Sequence, residues 1–169
     1  FDLTFFFLLA PIVQSLDGED GGGFFFFRRF RFFVGLFENS LASNEFVTGV
    51  SIPVPTSTNT SAFIKMETNA NDLAILNVAV SLSLKDAGTC ENARVFVGGG
   101  VGETPVRCAS AESALAGAAM NEDTFENAGE AVLNDVDPLS DHRASAEYRK
   151  AMSKVLLKRA LASAIARLS

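Results

Sequence analysis

The sequence contains few of the residues that bind metal ions or form disulfide frameworks. It has one histidine, His142, and two cysteines, Cys90 and Cys108, which are not arranged as a CxxC pair. A structural zinc site takes about four such ligands, and a disulfide framework takes several cysteine pairs. The composition therefore indicates neither kind of site, and we expect a reducing, cytoplasmic location.

Clustered positive charge and long apolar runs are also scarce. Lysine and arginine together number 14 against 20 acidic residues, which gives a net charge of −6. A nucleic-acid partner calls for a clustered basic face, so we expect no nucleic-acid partner. No apolar run approaches the roughly 18–20 residues of a membrane-spanning helix, and the stretch "FDLTFFFLLAPIV" lacks the basic start of a signal peptide. The sequence therefore predicts no membrane span.

Phenylalanine, in contrast, is abundant and concentrated at the start of the chain. Twelve of the 16 phenylalanines lie within residues 1–37. Such a segment is typical of a membrane-facing or aggregation-prone surface, or of degraded or poorly determined sequence. The chain also begins with Phe1 instead of methionine. We therefore expect it to be a piece of a longer protein.

The pattern from about residue 38 onwards predicts an α+β fold. Partial alternation and β-branched residues favour a strand at 45–55 and a three-stranded antiparallel sheet within about 62–100. Helical spacing and capping residues then predict three helices packed on that sheet, at 110–120, 121–137 and 144–168. The apolar stripe of the last helix comprises Tyr148, Met152, Val155, Leu156, Leu161, Ile165 and Leu168.

The glycine-rich stretch "FVGGGVGETPVRC" (96–108) resembles a phosphate cradle at first sight. A dinucleotide-binding G-x-G-x-x-G must open directly into a helix, because the phosphate is bound by free N–H groups there. Here Glu103 occupies the position of the third glycine, and Pro105 interrupts the segment. The P-loop pattern also fails, since no Gly-Lys-Ser/Thr follows. We conclude that the run is a turn.

Two segments carry a resemblance to a known family. The segments "NARVFVGGGVGETPVRCASAESALAG" (92–117) and "DPLSDHRASAEYRKAMSKVLLKRALASAIARL" (137–168) resemble the C-terminal domain of the FAD-binding medium subunit of molybdenum hydroxylases. This group includes carbon monoxide dehydrogenase, xanthine dehydrogenases and aldehyde oxidoreductases. The order and spacing of three features carry the match: Thr-Pro-Val-Arg after the glycine turn, Ser-Asp-x-Arg, and Ser-Ala-Glu-Tyr-Arg opening the last helix.

The resemblance implies two domains. The segment "FFVGLFENSLASNEFVTGVSIPVP" (32–55) is similar to the end of the family's FAD-binding domain, and the polar "PTSTNTS" after it is typical of a connector. We therefore expect the remnant of an FAD-binding α+β domain at 1–56 and a CO dehydrogenase flavoprotein C-terminal-like domain at 57–169. The two glycine-rich motifs that hold the FAD pyrophosphate in this family would precede residue 1.

The resemblance also implies a flavin contact in the loop "KMETNANDLA" (65–74), which flanks the isoalloxazine ring in this family. Lys65 matches a lysine commonly found there. Asp72 matches the acid of the loop, and Leu73 occupies the position of the residue that lies against the flavin ring. These three residues are the main candidates for contact with FAD.

Three further residues match positions near the family's flavin. Phe46 and Val47 match apolar positions that pack near the bound FAD, and Asp2 matches an acid that follows the second FAD motif. The chain departs from the family at Thr68 and Asn69, where basic residues usually precede the loop acid. This departure changes the expected electrostatics towards a nicotinamide or other acceptor.

Each candidate also has an ordinary structural interpretation. Lys65 can be a solvated lysine at a strand end, Asp72 can end a turn, and the apolar candidates are of types that build any core. Arg107 and Arg143 are regular members of the family pattern. We expect them to fix loops through hydrogen bonds, not to perform chemistry.

The function implied by the resemblance is electron transfer by an oxidoreductase subunit with FAD as its cofactor. Electrons would leave a molybdopterin large subunit, cross two 2Fe–2S clusters in an iron–sulfur small subunit, and reach a soluble electron acceptor through FAD. The chain itself would need no general base, nucleophile or metal ligand. Two alternatives stay open: a flavin-free domain that docks partner subunits, and a degenerate product that no longer folds in its first 40 residues.

Overall fold

Segments rich in β-branched residues, in which buried and exposed positions alternate, form the strands of this protein. Segments whose apolar residues recur at helical spacing form its helices. The structure, a computed structural model, describes residues 32–47, 58–69, 71–85 and 88–168. The chain divides into two compact units, Phe1–Val54 and Pro55–Ser169. The domain assignment made from the sequence, 1–56 and 57–169, stays a prediction.

The described residues of the first unit contain a small antiparallel hairpin. Its strands are β1 (Phe33–Gly35) and β2 (Glu38–Asn39). Phe37 in the connecting turn has a φ of 58°, a left-handed conformation that a non-glycine residue rarely adopts. Its side chain is 97% exposed. The hairpin therefore presents an aromatic ring to solvent at its tip.

The strand predicted at 45–55 is wrong for residues 45–47, which form no strand. The amide of Glu45 donates to the carbonyl of Ala42 (3.0 Å), and the carboxylate of Glu45 accepts from the amide of Ala42 (2.7 Å). These two hydrogen bonds close a turn, so the backbone of Glu45 is not available to a strand ladder. Residues 48–55 lie outside the described residues.

The second unit is built on a four-stranded antiparallel sheet. Its strands, in spatial order, are β3 (Asn59–Met66), β4 (Leu76–Lys85), β5 (Thr89–Gly98) and β6 (Val106–Arg107). The predicted antiparallel meander is confirmed for β3 to β5, but the predicted three strands are one too few. In β6, Val106 pairs with Val97. A two-residue strand is too short to show alternation in the sequence.

Three helices follow the sheet, as predicted. They are α1 (Ala109–Leu115), α2 (Glu122–Ala131), which continues as a 3-10 turn (Val132–Asn134), and α3 (Ala146–Ala166). Asn121 caps α2 by accepting from the amide of Thr124 (2.9 Å), and Ser145 caps α3 by accepting from the amide of Tyr148 (3.2 Å). These side chains satisfy amides that have no partner within their own helix.

The core lies between one face of the sheet and the helices, with buried residues from α1, α2 and α3. Alternate residues of β4 point into it, and Val78, Val80 and Leu82 are at most 1% exposed. The residues that α3 buries are Arg149, Ser153, Leu156, Leu157, Ala160, Leu161 and Ala164. The predicted stripe is therefore partly wrong: Tyr148 and Leu168 are exposed. The buried face of α3 is offset from the predicted stripe and combines leucines with small residues and Arg149.

Candidate functional site

The β3–β4 loop (residues 67–75) carries the main candidates and is closed at its base. The amide of Ile75 donates to the carbonyl of Met66 (2.8 Å), and the amide of Asp72 donates to the carbonyl of Asn69 (2.9 Å). The first bond extends the ladder between β3 and β4, where Met66 pairs with Leu76. The loop thus leaves and re-enters the sheet at one fixed point.

Asp72 accepts two hydrogen bonds through one carboxylate oxygen. Its Oδ1 accepts from Nη1 of Arg143 (2.6 Å) and from the amide of Leu73 (2.8 Å). The Arg143 guanidinium, followed by the Leu73 amide and more weakly by the charge of Lys65, lowers the pKa of the Asp72 carboxyl below its usual value. Asp72 is therefore a charged, paired carboxylate that holds the loop.

Leu73 has an exposed apolar side chain on a backbone that is held by hydrogen bonds. Its side chain is exposed, at 73% of its full surface. Its amide is bonded to Asp72, and its carbonyl lies 3.4 Å from Nη1 of Arg143. Lys65 is also nearby: its Nζ lies 2.5 Å from a carboxylate oxygen of Glu67, at the start of the same loop. Asp72 and Leu73 are thus in direct contact, and Lys65 lies close enough for its charge to act on Asp72.

The other three candidates lie earlier in the chain than the β3–β4 loop. Phe46 and Val47 lie in the first unit, and their side chains are exposed. Their assignment as residues near a flavin stays a prediction. Asp2 lies outside the described residues.

The segment that precedes α3 is held in place by a buried arginine. Arg149, in the first turn of α3, is 1% exposed. Its guanidinium donates to the carbonyls of Ile75 (3.0 Å), Ala144 (3.2 Å) and Leu139, and to Oδ1 of Asp141 (2.8 Å). One side chain thus joins the end of the β3–β4 loop to the turn before α3.

Asp141 organises the turn that carries Arg143. The same Oδ1 atom that binds Arg149 accepts from the amides of Arg143 (2.8 Å) and Ala144 (3.1 Å). The guanidinium of Arg149, with these amides, lowers the pKa of the Asp141 carboxyl to about 2. Asp141 is therefore ionised at neutral pH, and it connects the buried Arg149 to the half-buried Arg143.

The glycine run is a turn, as predicted from the sequence. Gly99 and Gly100 have φ values of +88° and +75°, which favour glycine. A Cβ on Gly99 would lie 2.7 Å from Cα of Leu76, and one on Gly100 would lie 3.0 Å from Cζ of Arg149. Both glycines are therefore packed against protein atoms, which leaves no cradle for a phosphate.

Of the two arginines expected to fix loops, Arg143 holds the β3–β4 loop, and Arg107 joins strand β6 to helix α1. Arg143 binds Asp72, as described above, and Arg107 forms a two-pronged ion pair with the buried Glu112, with its Nη2 2.6 Å from Oε2 and its Nε 2.9 Å from Oε1. Arg149 and Asp141 were not selected as site residues. The sequence signal for both is the family resemblance, since Asp141 lies in the Ser-Asp-x-Arg motif and Arg149 in the Ser-Ala-Glu-Tyr-Arg motif.

The described residues include no group of three or more histidine, cysteine or acidic side chains arranged to hold a metal ion. Within the same part of the chain, none of the helices combines the length and the apolarity needed to cross a bilayer. Cys90 and Cys108 are buried and unpaired with each other.

Comparison with known families identifies this architecture. A family model described as the CO dehydrogenase flavoprotein C-terminal domain matches residues 61–164, which is more than half of the chain. The chain belongs to this family. The match begins in β3 and ends in α3, so it contains the β3–β4 loop, the glycine turn and Arg149.

Relatives of the CO dehydrogenase flavoprotein family match over most of this chain. The nicotine 6-hydroxylase medium subunit of Paenarthrobacter nicotinovorans is 35% identical, over 80% of this chain and 46% of that protein. A putative xanthine dehydrogenase FAD-binding subunit of Escherichia coli is 33% identical, over 58% of this chain and 33% of that protein. The chain spans about half the length, or less, of these curated relatives.

A solved structure of the family has the same fold. Carbon monoxide dehydrogenase from Hydrogenophaga pseudoflava, in a form that lacks the Mo-pyranopterin moiety of its molybdenum cofactor, superimposes with a TM-score of 0.75. It is 30% identical in sequence, and the match covers 82% of this chain and 48% of that chain. The α+β fold with a four-stranded sheet and three helices is therefore that of the CO dehydrogenase flavoprotein C-terminal domain.

Proposed function

We propose that this chain forms part of the FAD-binding medium subunit of a molybdenum hydroxylase complex. The subunit would accept electrons from the iron–sulfur clusters of a small subunit and deliver them to a soluble acceptor, while the molybdopterin large subunit oxidises the substrate. Membership of the CO dehydrogenase flavoprotein family supports this proposal. So does the similarity to a relative named as an FAD-binding subunit.

The observation that carries the proposal is the display of Leu73 on a loop that is otherwise held by hydrogen bonds. Leu73 is 73% exposed, and packing this apolar side chain against an apolar surface would lower the free energy of the complex. An isoalloxazine ring presents such a surface on its face. Because the amide of Leu73 is bonded to Asp72, ring contact would not require the loop to be ordered first.

The charges around Leu73 are also compatible with a flavin. The carboxylate of Asp72 is paired with Arg143, so it does not present an isolated negative charge to the ring. The positive charge that the family's loop usually supplies just before its acid is missing at Thr68 and Asn69. Here the positive charges that act on Asp72 are those of Arg143, which is paired with Asp72, and of Lys65, which is paired with Glu67.

The residues thus fit a flavin ring, with Leu73 as the apolar contact to its face and the ion pairs Lys65–Glu67 and Arg143–Asp72 as the charged surroundings. When bound, FAD supplies the electron-transfer chemistry, and the protein supplies binding and orientation. The glycine turn does not offer a pyrophosphate site, since its glycines are packed against Leu76 and Arg149. We propose that the pyrophosphate is bound by the other half of the medium subunit.

The test is flavin content of the medium subunit expressed from its complete gene. We expect FAD to copurify, and we expect Leu73→Ser to weaken FAD binding by about three- to tenfold, because it removes an apolar contact. Leu168→Ser is the matched control, since Leu168 is also an exposed leucine but lies beyond the opposite end of α3. That variant should bind FAD like the parent protein.

Two results would contradict the proposal. A full-length subunit without FAD would favour the alternative, a flavin-free domain that docks partner subunits. FAD binding that is weakened equally by Leu73→Ser and Leu168→Ser would show that Leu73 has no specific contact with the ring.

A further inference from the structure

We propose that Arg143 is a positioning residue for the flavin: it holds Asp72 and Leu73 in the arrangement that ring contact requires. This inference rests on the proposed function and deepens it. It assigns to a residue of the α3 entry turn a role in the β3–β4 loop, 70 residues earlier in the chain.

The contacts of Arg143 converge on one point of the loop. Its Nη1 lies 2.6 Å from Oδ1 of Asp72 and 3.4 Å from the carbonyl of Leu73. The same Oδ1 accepts from the amide of Leu73 at 2.8 Å. Arg143 therefore restrains the peptide groups on both sides of Leu73, one directly and one through Asp72.

Arg143 is itself anchored to the core. Its amide donates to Oδ1 of Asp141, and this oxygen also accepts from Nη2 of Arg149. The Arg149 side chain is 2% exposed and belongs to the buried face of α3. A continuous series of hydrogen bonds thus runs from the core, through Asp141 and Arg143, to the exposed Leu73.

The ion pair between Arg143 and Asp72 affects the position of Leu73 more than the stability of the fold. Both side chains keep about a quarter of their surface exposed, at 24% and 28%. Ion pairs of this exposure contribute little to the stability of a fold. The same contact, however, decides where Leu73 is displayed, and a contact surface displaced by about 1 Å loses much of its complementarity.

The experiment compares Arg143→Ala, Arg143→Lys and Arg167→Ala in the medium subunit expressed from its complete gene. Arg167 is the matched control, because its Nη1 donates to the carbonyl of Ser61 (2.8 Å) at the other end of β3. Lysine can replace Arg143 at Asp72, since a single nitrogen, Nη1, makes both contacts with the loop. The measurements are hydrogen exchange of the Leu73 amide without FAD, the Kd for FAD, and the visible circular dichroism of the bound flavin.

For Arg143→Ala we expect faster exchange of the Leu73 amide, about two- to fivefold weaker FAD binding, and an altered visible dichroism. Arg143→Lys should restore most of all three, and Arg167→Ala should change none. Thermal unfolding should be similar in Arg143→Ala and Arg167→Ala. A merely structural arginine would change the unfolding temperature without changing the dichroism of the flavin.

The inference is overturned if Arg143→Ala binds FAD with the parent's Kd and dichroism while the parent does bind FAD. It is also overturned if Arg167→Ala has equal effects. A parent protein that binds no FAD would refute the proposed function, and in that case exchange of the Leu73 amide still reports whether Arg143 holds the loop.

Discussion

Gly100 and Arg149 are in contact in a way that leaves no room for a side chain on the glycine. A Cβ on Gly100 would lie 3.0 Å from both Cζ and Nε of the Arg149 guanidinium. The carbonyl of Gly100 accepts from the amide of Leu139, whose own carbonyl accepts from Arg149. The absence of a side chain at Gly100 therefore leaves room for the buried Arg149, which joins the β3–β4 loop to the turn before α3.

Gly100→Ala should destabilise the fold more than Gly117→Ala. Both glycines have left-handed backbones, with φ values of +75° and +74°, but a Cβ on Gly117 would meet no atom within 4 Å. We expect Gly117→Ala to lower the free energy of unfolding by about 1 kcal/mol, from backbone strain alone. Gly100→Ala should lower it by about 2–4 kcal/mol, because the new Cβ also contacts Arg149. Urea unfolding measures both values, and equal losses would contradict the packing described.

Arg149→Met should be strongly destabilising, although methionine is apolar and similar in length. The substitution removes the Arg149 donor from the carbonyls of Ile75 and Leu139, whereas the carbonyl of Ala144 still accepts from the amide of Asp141 (3.1 Å). Because each buried polar group without a partner costs about 1–3 kcal/mol, we expect a total loss of about 3 kcal/mol or more. Arg159→Met, at an exposed position of the same helix, is the control. A loss below about 1 kcal/mol for Arg149→Met would contradict the anchoring role.

The strands and helices could be predicted because they depend on local pattern. The alternation from Asn77 to Leu84 and the spacing within α3 are visible in a window of about a dozen residues. Strand β6 was missed because its two residues are strand only through pairing with Phe96 and Val97. The burial of α3 was partly misjudged for a related reason: Arg149 is buried because distant carbonyls accept its hydrogen bonds, which no hydropathy pattern records.

The candidate site could be predicted only in part. The loop that carries Asp72 and Leu73 was identified by resemblance, and in the structure these two residues are in direct contact, with Lys65 close enough for its charge to act on Asp72. The partner of Asp72 could not be named, because Arg143 is 71 residues away and the pairing depends on how α3 packs on the sheet. Long-range pairs of this kind require the fold and not only the sequence.

The two cysteine thiols should be unreactive in the native protein. Burial, with the nearby charges of Asp135 and Glu112, raises the pKa of the Cys108 thiol to about 12, and burial also raises the pKa of Cys90. Since the thiolate is the reactive species, we expect almost no alkylation by iodoacetamide at about pH 8. Both thiols should react after unfolding in urea. Rapid labelling of the native protein would contradict the burial of either thiol.

Glu126 should make the packing of α2 on α3 sensitive to acid. Its carboxylate forms ion pairs with Lys154 (2.5 Å) and Lys158, and hydrogen bonds from these lysines lower the pKa of Glu126 to about 2 from 4.5. The stabilisation is therefore complete above about pH 4.5 and is lost as the pH falls through about 2. Both side chains of each pair are partly exposed, so the effect should be small.

Glu126→Gln tests this pH dependence. The stability difference between the parent protein and Glu126→Gln should be largest above about pH 4.5 and should decrease towards pH 2. Asp123→Asn replaces an exposed acid in the first turn of the same helix and is the control. A difference between parent and Glu126→Gln that is constant over this range would contradict the ion-pair assignment.

The most direct test of the flavin assignment is hydrogen exchange of the medium subunit, expressed from its complete gene, with and without FAD. We predict that FAD slows exchange in peptides that cover residues 66–75, because the flavin contacts Leu73 and shields the β3–β4 loop. Peptides from Thr89–Gly98 should exchange at the same rate in both states. Slower exchange elsewhere with no change at residues 66–75 would contradict a flavin contact at this loop.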